Sequence, residues 1–383
     1  MNRPLTGVLV LEFCQFLAGP SAGLKLADLG ARVIKIERPD GGDACRQLSI
    51  KNLFVDEDSL LFHTINRNKE SYAADLKNKE DLNCLKKLIA KADVMIHNFR
   101  PGVMEKIGLD YQQAQLINPK IIYGMVTGYG NKGPWANKPG QDLLVQAMSG
   151  LTYLSGKSTD GPVPFGLSVS DIMCGNHLVQ GILAALIKRA KTQKSVLVEV
   201  SLLESLLDVQ FEVLTTYLND GGKLPERSQI DGSAHAYLSA PYAIYRTQDG
   251  YISLAMGDLK LIAEVIQSDI SSFYACESDG FDKRDEIIAW LGQTFQTAPT
   301  DHWLKALEAR GIWSAAVLDY QEATALSAYQ HLEIEQDLEL GNGQTLKTTV
   351  SPIRIDRQKL TAKKAAPRLG ADNEKINLAF ELK

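Results

Sequence analysis

Residues 8–37 read VLVLEFCQFLAGPSAGLKLADLGARVIKIE, and this stretch decides the fold. Residues 8–13 are a compact apolar run, the pattern of a buried strand. Ala18, Gly19 and Pro20 open a helix that runs to Leu29. Proline is tolerated in that first turn because its missing N–H has no partner there anyway. Gly30 ends the helix, and residues 33–37 form a second strand. Strand, helix, strand is a βαβ unit, which implies a parallel sheet and an α/β fold. A dinucleotide enzyme would carry GxGxxG in the first turn. Residues 14–23, CQFLAGPSAG, lack it, so the backbone cannot approach a pyrophosphate in the usual way. Arg38 follows the second strand at the carboxyl edge, where α/β sheets bind ligands. An arginine there suits a ribose phosphate better than a free hydroxyl; the bland alternative is an exposed arginine beside Pro39.

The same motif repeats downstream. A polar loop at 66–71 leads into a strand at 72–77 with a basic end, then a helix at 81–90 and a strand at 93–96. Asn98, Phe99, Arg100, Pro101 and Gly102 form the next loop, followed by a short helix containing Lys106. Arg38, Lys77, Arg100 and Lys106 therefore collect near loops after successive elements. A phosphate-rich, nucleotide-bearing ligand matches that pattern; scattered surface charge is the alternative. Another buried strand spans 121–126. The glycine-rich segment 128–134, GYGNKGP, follows, and such loops act as lids or allow close backbone approach. Asp142 reads as the N-cap of the helix after it.

Residues 166–189, GLSVSDIMCGNHLVQGILAALIKR, are the second informative stretch. From Gly175 onward Leu178, Val179, Ile182, Leu183 and Leu186 recur at helical spacing. Asp171 then lies one turn before the helix, facing the positive end of its dipole, which favours the ionised carboxylate. Ionised, it is a possible nucleophile for acyl transfer. Ser170 or Asp171 as a simple N-cap is the structural alternative.

Further on, a strand at 196–202 and one long helix at 204–217 precede a polar linker at 218–240. Strands at 242–246 and 251–256 flank a Gln-Asp-Gly turn, a hairpin signal. Helices are expected at 259–268, 282–295 and 300–310, and a strand at 314–318. The tail supplies strand, loop and a last short helix.

With 383 residues, 45% hydrophobic and 23% charged, the chain fits two globular domains or one with a large insertion. A net charge of -5 argues against nucleic acid as a partner. The N-terminal apolar run is too short for membrane insertion. The 5 scattered cysteines read as reduced thiols of a cytoplasmic protein, and the 6 histidines lack metal-ligand spacing, so no metal is expected. His177 and His235 read as structural.

Five segments together resemble the CaiB/BaiF, or family III, CoA-transferases. They are LEFCQFLAGPSAGLKLADLGARVIKIERPDGGD, NRNKESYAADLK, ADVMIHNFRPGVMEKIGL, TGYGNKGPWANKPGQDLLVQAMSGL and GLSVSDIMCGNHLVQGILAAL. Their order and spacing match over about the first half of the chain. The resemblance implies that Asp171 is the catalytic aspartate. It implies CoA contacts at Phe16, Leu17, Ala18, Arg38, Ala74, Lys77, Asn98, Phe99, Arg100, Lys106 and Lys138. It further implies a Rossmann-like large domain from residues 1–220 and 331–383, a smaller α+β domain at 221–330, and an interlocked homodimer. The implied reaction moves CoA from an acyl-CoA to a small carboxylic acid through an aspartyl-CoA thioester. CoA is then a substrate, and no tightly bound cofactor is expected.

Gln141, Asp142, Gly257 and Asp258 are the expected substrate-side positions. The sequence departs from related transferases at 255–258, AMGD, where one glycine stands in place of a glycine-rich run. The related 2-methylacyl-CoA racemases carry an acidic residue there, which Asp258 approximates. They also use a histidine base at the position of Gln141, and glutamine has no useful base pKa. The residues therefore favour transferase over racemase. A non-catalytic CoA-binding protein is the remaining alternative, and the presence of Asp171 argues against it. The resemblance to transferases with the GYG…QAMSGL pattern, together with the basic residues nearby, implies small dicarboxylates with succinyl-CoA as the acid pair.

Overall fold

The computed structural model describes residues 3–271 and 274–382. The chain divides into two compact units. The first comprises residues 1–145, 168–209 and 330–383; the second comprises 146–167 and 210–329.

The first unit is built on a parallel sheet of six strands: β1 (Leu9–Phe13), β2 (Arg32–Glu37), β3 (Glu70–Ala73), β4 (Val94–His97), β5 (Ile122–Thr127) and β6 (Val196–Ser201). In space the order is β3-β2-β1-β4-β5-β6. Leu11 pairs with Ile34 on one side and Met95 on the other. The order reverses at β1, so a crevice opens at its carboxyl end. Helix α1 (Ala18–Asp28) follows β1. Helix α2 (Lys79–Lys91) starts at Asn78, whose side chain accepts from the N–H groups of Glu80 and Asp81. Helix α3 (Asp142–Ser149) follows the glycine-rich segment, and α4 (Val169–Thr192) and α5 (Leu202–Val209) bracket β6. A last helix, α6 (Asn373–Phe380), returns to the sheet through Ile376.

Strands β1 and β4 are buried along their whole length, which explains their mostly apolar sequences, LVLEF and VMIH. On one face Leu85, Leu88 and Ile89 of α2 pack with Leu11, Ile34 and Met95, all fully enclosed. Burying each such side chain stabilises by roughly 1.5–3 kcal/mol. Helix α4 is long and apolar enough to cross a membrane by length and composition alone. Here it lies close against α1 and β6 instead. A Cβ on Gly175 would come within 2.2 Å of Ser21 Oγ, and one on Gly181 within 2.5 Å of Val198. Glycine at those two positions is what lets the helix approach so closely.

The second unit carries an antiparallel sheet of β7 (Ala243–Arg246), β8 (Tyr251–Leu254) and β9 (Ser314–Ala316), with β8 in the middle. Helices Leu259–Val265, Arg284–Phe295 and Thr300–Glu308 cover it. Tyr245, Ile252, Phe295 and Trp303 form its core, and the Trp303 indole donates to Phe295 O at 2.8 Å. The segment 221–330 falls almost wholly within this unit, which also takes in residues 146–167 and 210–220.

Several expectations about elements change. The strand read at 72–77 is Glu70–Ala73. It stops there because Asp75 turns the chain, its carboxylate accepting from Lys77 N–H at 2.9 Å. The long helix read at 204–217 is interrupted at Gln210, giving α5 and then Phe211–Asn219. The helix read from Gly175 begins at Val169, with Ser168 as its N-cap residue. Asp171 is therefore inside the first turn, and neither it nor Ser170 is the cap.

Candidate active site

Ser170, the residue before Asp171, is held by a carboxylate from another helix. Asp142 Oδ1 accepts from the Ser170 N–H at 2.8 Å and from the Ser170 hydroxyl at 2.6 Å. Asp142 was expected to cap its own helix. It stands instead at the first position of α3 and satisfies an orphan N–H at the start of α4. This explains why α4 extends back to Val169: its first turn has an acceptor after all. Asp171 is half-buried. Burial, and secondarily the Asp142 carboxylate, push its carboxyl up to about 7. The helix dipole was expected to favour the ionised form; desolvation and a like charge outweigh it.

Gly175 lies one turn further along α4, on the same face as Asp171. Its Cα backs onto Ala18 O and Ser21 Oγ of α1. Asp171 therefore sits within about one helical turn, ~6 Å along the axis, of the contact with α1.

A cleft of about 420 Å³ opens at the carboxyl ends of β1, β2 and β3. Arg38, Ala74, Lys77 and Phe99 all line it. Arg38 is exposed, and its Nε donates to Gly42 O at 2.9 Å. The remaining positions distribute as follows. Phe16 is half-exposed with a left-handed φ of 64°. Leu17 is the N-cap residue of α1 and packs against Cys45, Phe62 and Ile65, and Ala18 is buried at the helix start. The Asn98 amide pairs with Gln15, accepting from its N–H at 2.9 Å and donating to its carbonyl at 2.6 Å. Arg100 and Lys106 are exposed, Lys106 on the short helix Val103–Ile107. Neither is among the residues that line the cleft.

The segment 128–140 is pinched shut at its base. A Cβ on Gly128 would meet Gly140 Cα at 2.7 Å, and the reverse substitution would meet Gly128 Cα at 2.5 Å. Within the loop Tyr129 packs edge-on against Trp135, Lys138 lies over the Trp135 ring at 5.8 Å, and the Tyr129 hydroxyl donates to Pro139 O. The loop is a self-packed Ω-type excursion rather than an open strand of chain. Gln141 is exposed at its exit, and its carbonyl accepts from Val145 N–H.

Gly257 and Asp258 belong to the second unit. Asp258 caps helix Leu259–Val265, accepting from Lys260 N–H at 2.8 Å. His177 Nδ1 pairs with Ser205 Oγ at 3.0 Å, and its Nε2 lies 3.2 Å from Asp208. Among the described residues no cluster of His, Cys, Asp or Glu has a metal-holding arrangement.

Sequence reasoning missed a buried charge network beneath the β1–α1 turn. Lys35 Nζ lies 3.0 Å from Glu12 Oε1 and 2.8 Å from Asp43 Oδ2, and Lys69 Nζ lies 2.8 Å from Glu12 Oε2. Burial works against the Lys35 ammonium, but Glu12 and Asp43 prevail and hold its pKa above the ordinary lysine range. Burial lowers Lys69 to about 8. The signal was present: Glu12 in LVLEF and Lys35 in RVIKIE stand between apolar neighbours in buried strands, and a charge in such a place needs a buried partner.

A profile of CoA-transferase family III matches residues 5–373. The chain is 31% identical to the human succinyl-CoA:glutarate CoA-transferase, over 96% of this chain and 84% of that protein. It is 32% identical to the succinate–glutarate CoA-transferase of Agrobacterium fabrum, over 99% and 96% respectively. The crystal structure of a CaiB/BaiF family protein from Brucella suis superimposes with a TM-score of 0.85 at 30% identity, covering 99% of this chain and 100% of that one. A parallel sheet with its crevice at β1, an aspartate at the head of α4 and these likenesses together identify the chain as a member of CoA-transferase family III.

Proposed function

We propose that this enzyme transfers CoA from a dicarboxylic acyl-CoA, with succinyl-CoA as donor, to a small dicarboxylate of the glutarate type, using Asp171 as nucleophile. The observation that carries the reading is the half-buried Asp171 in the first turn of α4, one turn from the contact with α1. Two relatives named for succinyl-CoA or succinate and glutarate support the choice of acids.

The Asp171 carboxylate adds to the thioester carbonyl and expels CoA thiolate, leaving a mixed anhydride. The thiolate then adds to the aspartyl carbonyl and releases the donor acid, leaving an aspartyl-CoA thioester. The acceptor carboxylate attacks that thioester, and the returning thiolate takes the acceptor acyl group and frees Asp171. No net proton is exchanged, and one difficult exchange becomes four easier steps. Arg38 and Lys77 attract the phosphates of CoA. Phe16, Leu17 and Ala18 present main-chain groups at the start of α1. The self-packed 128–140 loop helps keep water from the anhydride. The chain works as an interlocked homodimer, which would cover apolar side chains such as the exposed Ile187 on α4. It works in the cytoplasm, where its free thiols stay reduced.

The test is intact-protein mass spectrometry after incubation with succinyl-CoA and trapping with hydroxylamine. A hydroxamate mapped to Asp171 is the expected result. Full exchange activity in Asp171→Ala would sink the reading. Light scattering tests the dimer, with a monomer mass as the contrary outcome.

A further inference from the structure

Four consecutive main-chain groups in the β1–α1 turn are gripped by side chains from elsewhere in the first unit. Lys35 Nζ donates to Cys14 O at 2.8 Å. Asn98 takes both the N–H and the carbonyl of Gln15. Asp43 Oδ1 accepts from Phe16 N–H at 3.1 Å. A turn held at every successive polar group is over-determined, and Phe16 shows why it must be. Its φ of 64° is a left-handed conformation that a bulky side chain rarely adopts. Such strain persists only where the surroundings enforce it.

Asp43 is the centre of that enforcement. Its Oδ2 pairs with Lys35 at 2.8 Å, its Oδ1 also accepts from Cys45 N–H, and its own N–H donates to Glu37 Oε2. Lys35 is fully buried and Asp43 is 2% exposed. A buried ion pair gains little stability over apolar packing of the same volume.

What the turn places is the start of α1. Leu17 supplies no side-chain cap, and the first N–H groups of a helix have no partner within it. Ala18 O touches Gly175 of α4, one turn beyond Asp171. We propose that Asp43, fixed by Lys35, is a positioning residue: it locks the Phe16 turn so that the free N–H groups at Ala18 and Gly19 meet the oxyanion formed when Asp171 attacks the thioester. The inference rests on the nucleophilic role given to Asp171 above.

The experiment measures Asp171 adduct formation with succinyl-CoA in single turnover, steady-state kcat, and CoA affinity by calorimetry, all in the full chain. Asp43→Ala should slow adduct formation and kcat about 100-fold, the cost of a misplaced group near the chemistry, while CoA affinity stays within about 2-fold. Asp43→Asn, which keeps an acceptor for Phe16, should recover most of the rate. If Asp43→Ala does not fold, Lys35→Gln, which weakens the hold on Cys14 O and on Asp43, should show the same split. Wild-type adduct rates in Asp43→Ala, or a loss of CoA affinity that matches the loss of rate, would overturn the proposal. No Asp171 adduct in the wild type would instead overturn the nucleophile reading itself.

Discussion

Asp142 and Ser170 are joined twice, through the Ser170 N–H at 2.8 Å and its hydroxyl at 2.6 Å, both to the same carboxylate oxygen. One carboxylate therefore both starts α4 and raises the pKa of the next residue, Asp171. That arrangement shapes the pH behaviour of the enzyme.

Burial first, and then Asp142, raise Asp171 to about 7, and only its ionised form can attack a thioester. kcat/KM should therefore rise with an acid limb near pH 7 and level off above it. Asp142→Asn keeps an acceptor for Ser170 but removes the charge, so the acid limb should move to lower pH. A pH–rate profile of the two proteins checks this; identical limbs would speak against the coupling.

Stability should move in the opposite sense to activity. Because the folded state raises the Asp171 pKa above its unfolded value of 3.8, the fold loses stability as pH rises from about 4 through 7. Asp171→Asn removes that cost. It should abolish exchange yet stabilise the protein by on the order of 1 kcal/mol at pH 8. At pH 4 the gain should vanish. Denaturant unfolding at the two pH values measures it.

Gly175 is the steric hinge between Asp171 and α1. Gly175→Ala puts a Cβ 2.2 Å from Ser21 Oγ and 2.8 Å from Ala18 O, so α1 and α4 must separate. The expected cost is about 1–3 kcal/mol of stability, with kcat falling more than CoA affinity. Calorimetry beside kinetics separates the two effects.

The loop base predicts a different signature. Gly128→Ala drives a Cβ to 2.7 Å from Gly140 Cα and forces the pinch open. Residues 129–139 should become sensitive to limited proteolysis, and hydrolysis of acyl-CoA should rise relative to transfer. An unchanged cleavage pattern would mean that the loop tolerates an open base.

Arg38 and Lys77 line the cleft at the sheet edge, and both are exposed. Arg38→Ala should raise the KM for the acyl-CoA about 10-fold, the ~1.4 kcal/mol expected of one charge-assisted contact. kcat should change little, and the salt dependence of binding should weaken.

Sequence alone established the βαβ start, the parallel sheet, the helix carrying Asp171 and the loop positions of Arg38 and Lys77, which line the cleft, and of Arg100 and Lys106, which do not. These are legible because hydrophobic period and loop position are local properties, and the carboxyl edge of a sheet follows from topology. Other features depended on residues far apart in the chain. The pKa of Asp171 is set by burial and by Asp142, 29 positions earlier, and these outweigh the helix dipole. The true start of α4 depends on the same carboxylate. Lys35, Asp43, Glu12 and Lys69 come from separate segments and pair only once the fold brings them together. The close approach of α1 and α4 at Gly175, and of the loop ends at Gly128 and Gly140, is likewise a matter of tertiary packing. Local sequence specifies elements and edges; desolvation, charge pairing and steric contact exist only once distant residues meet.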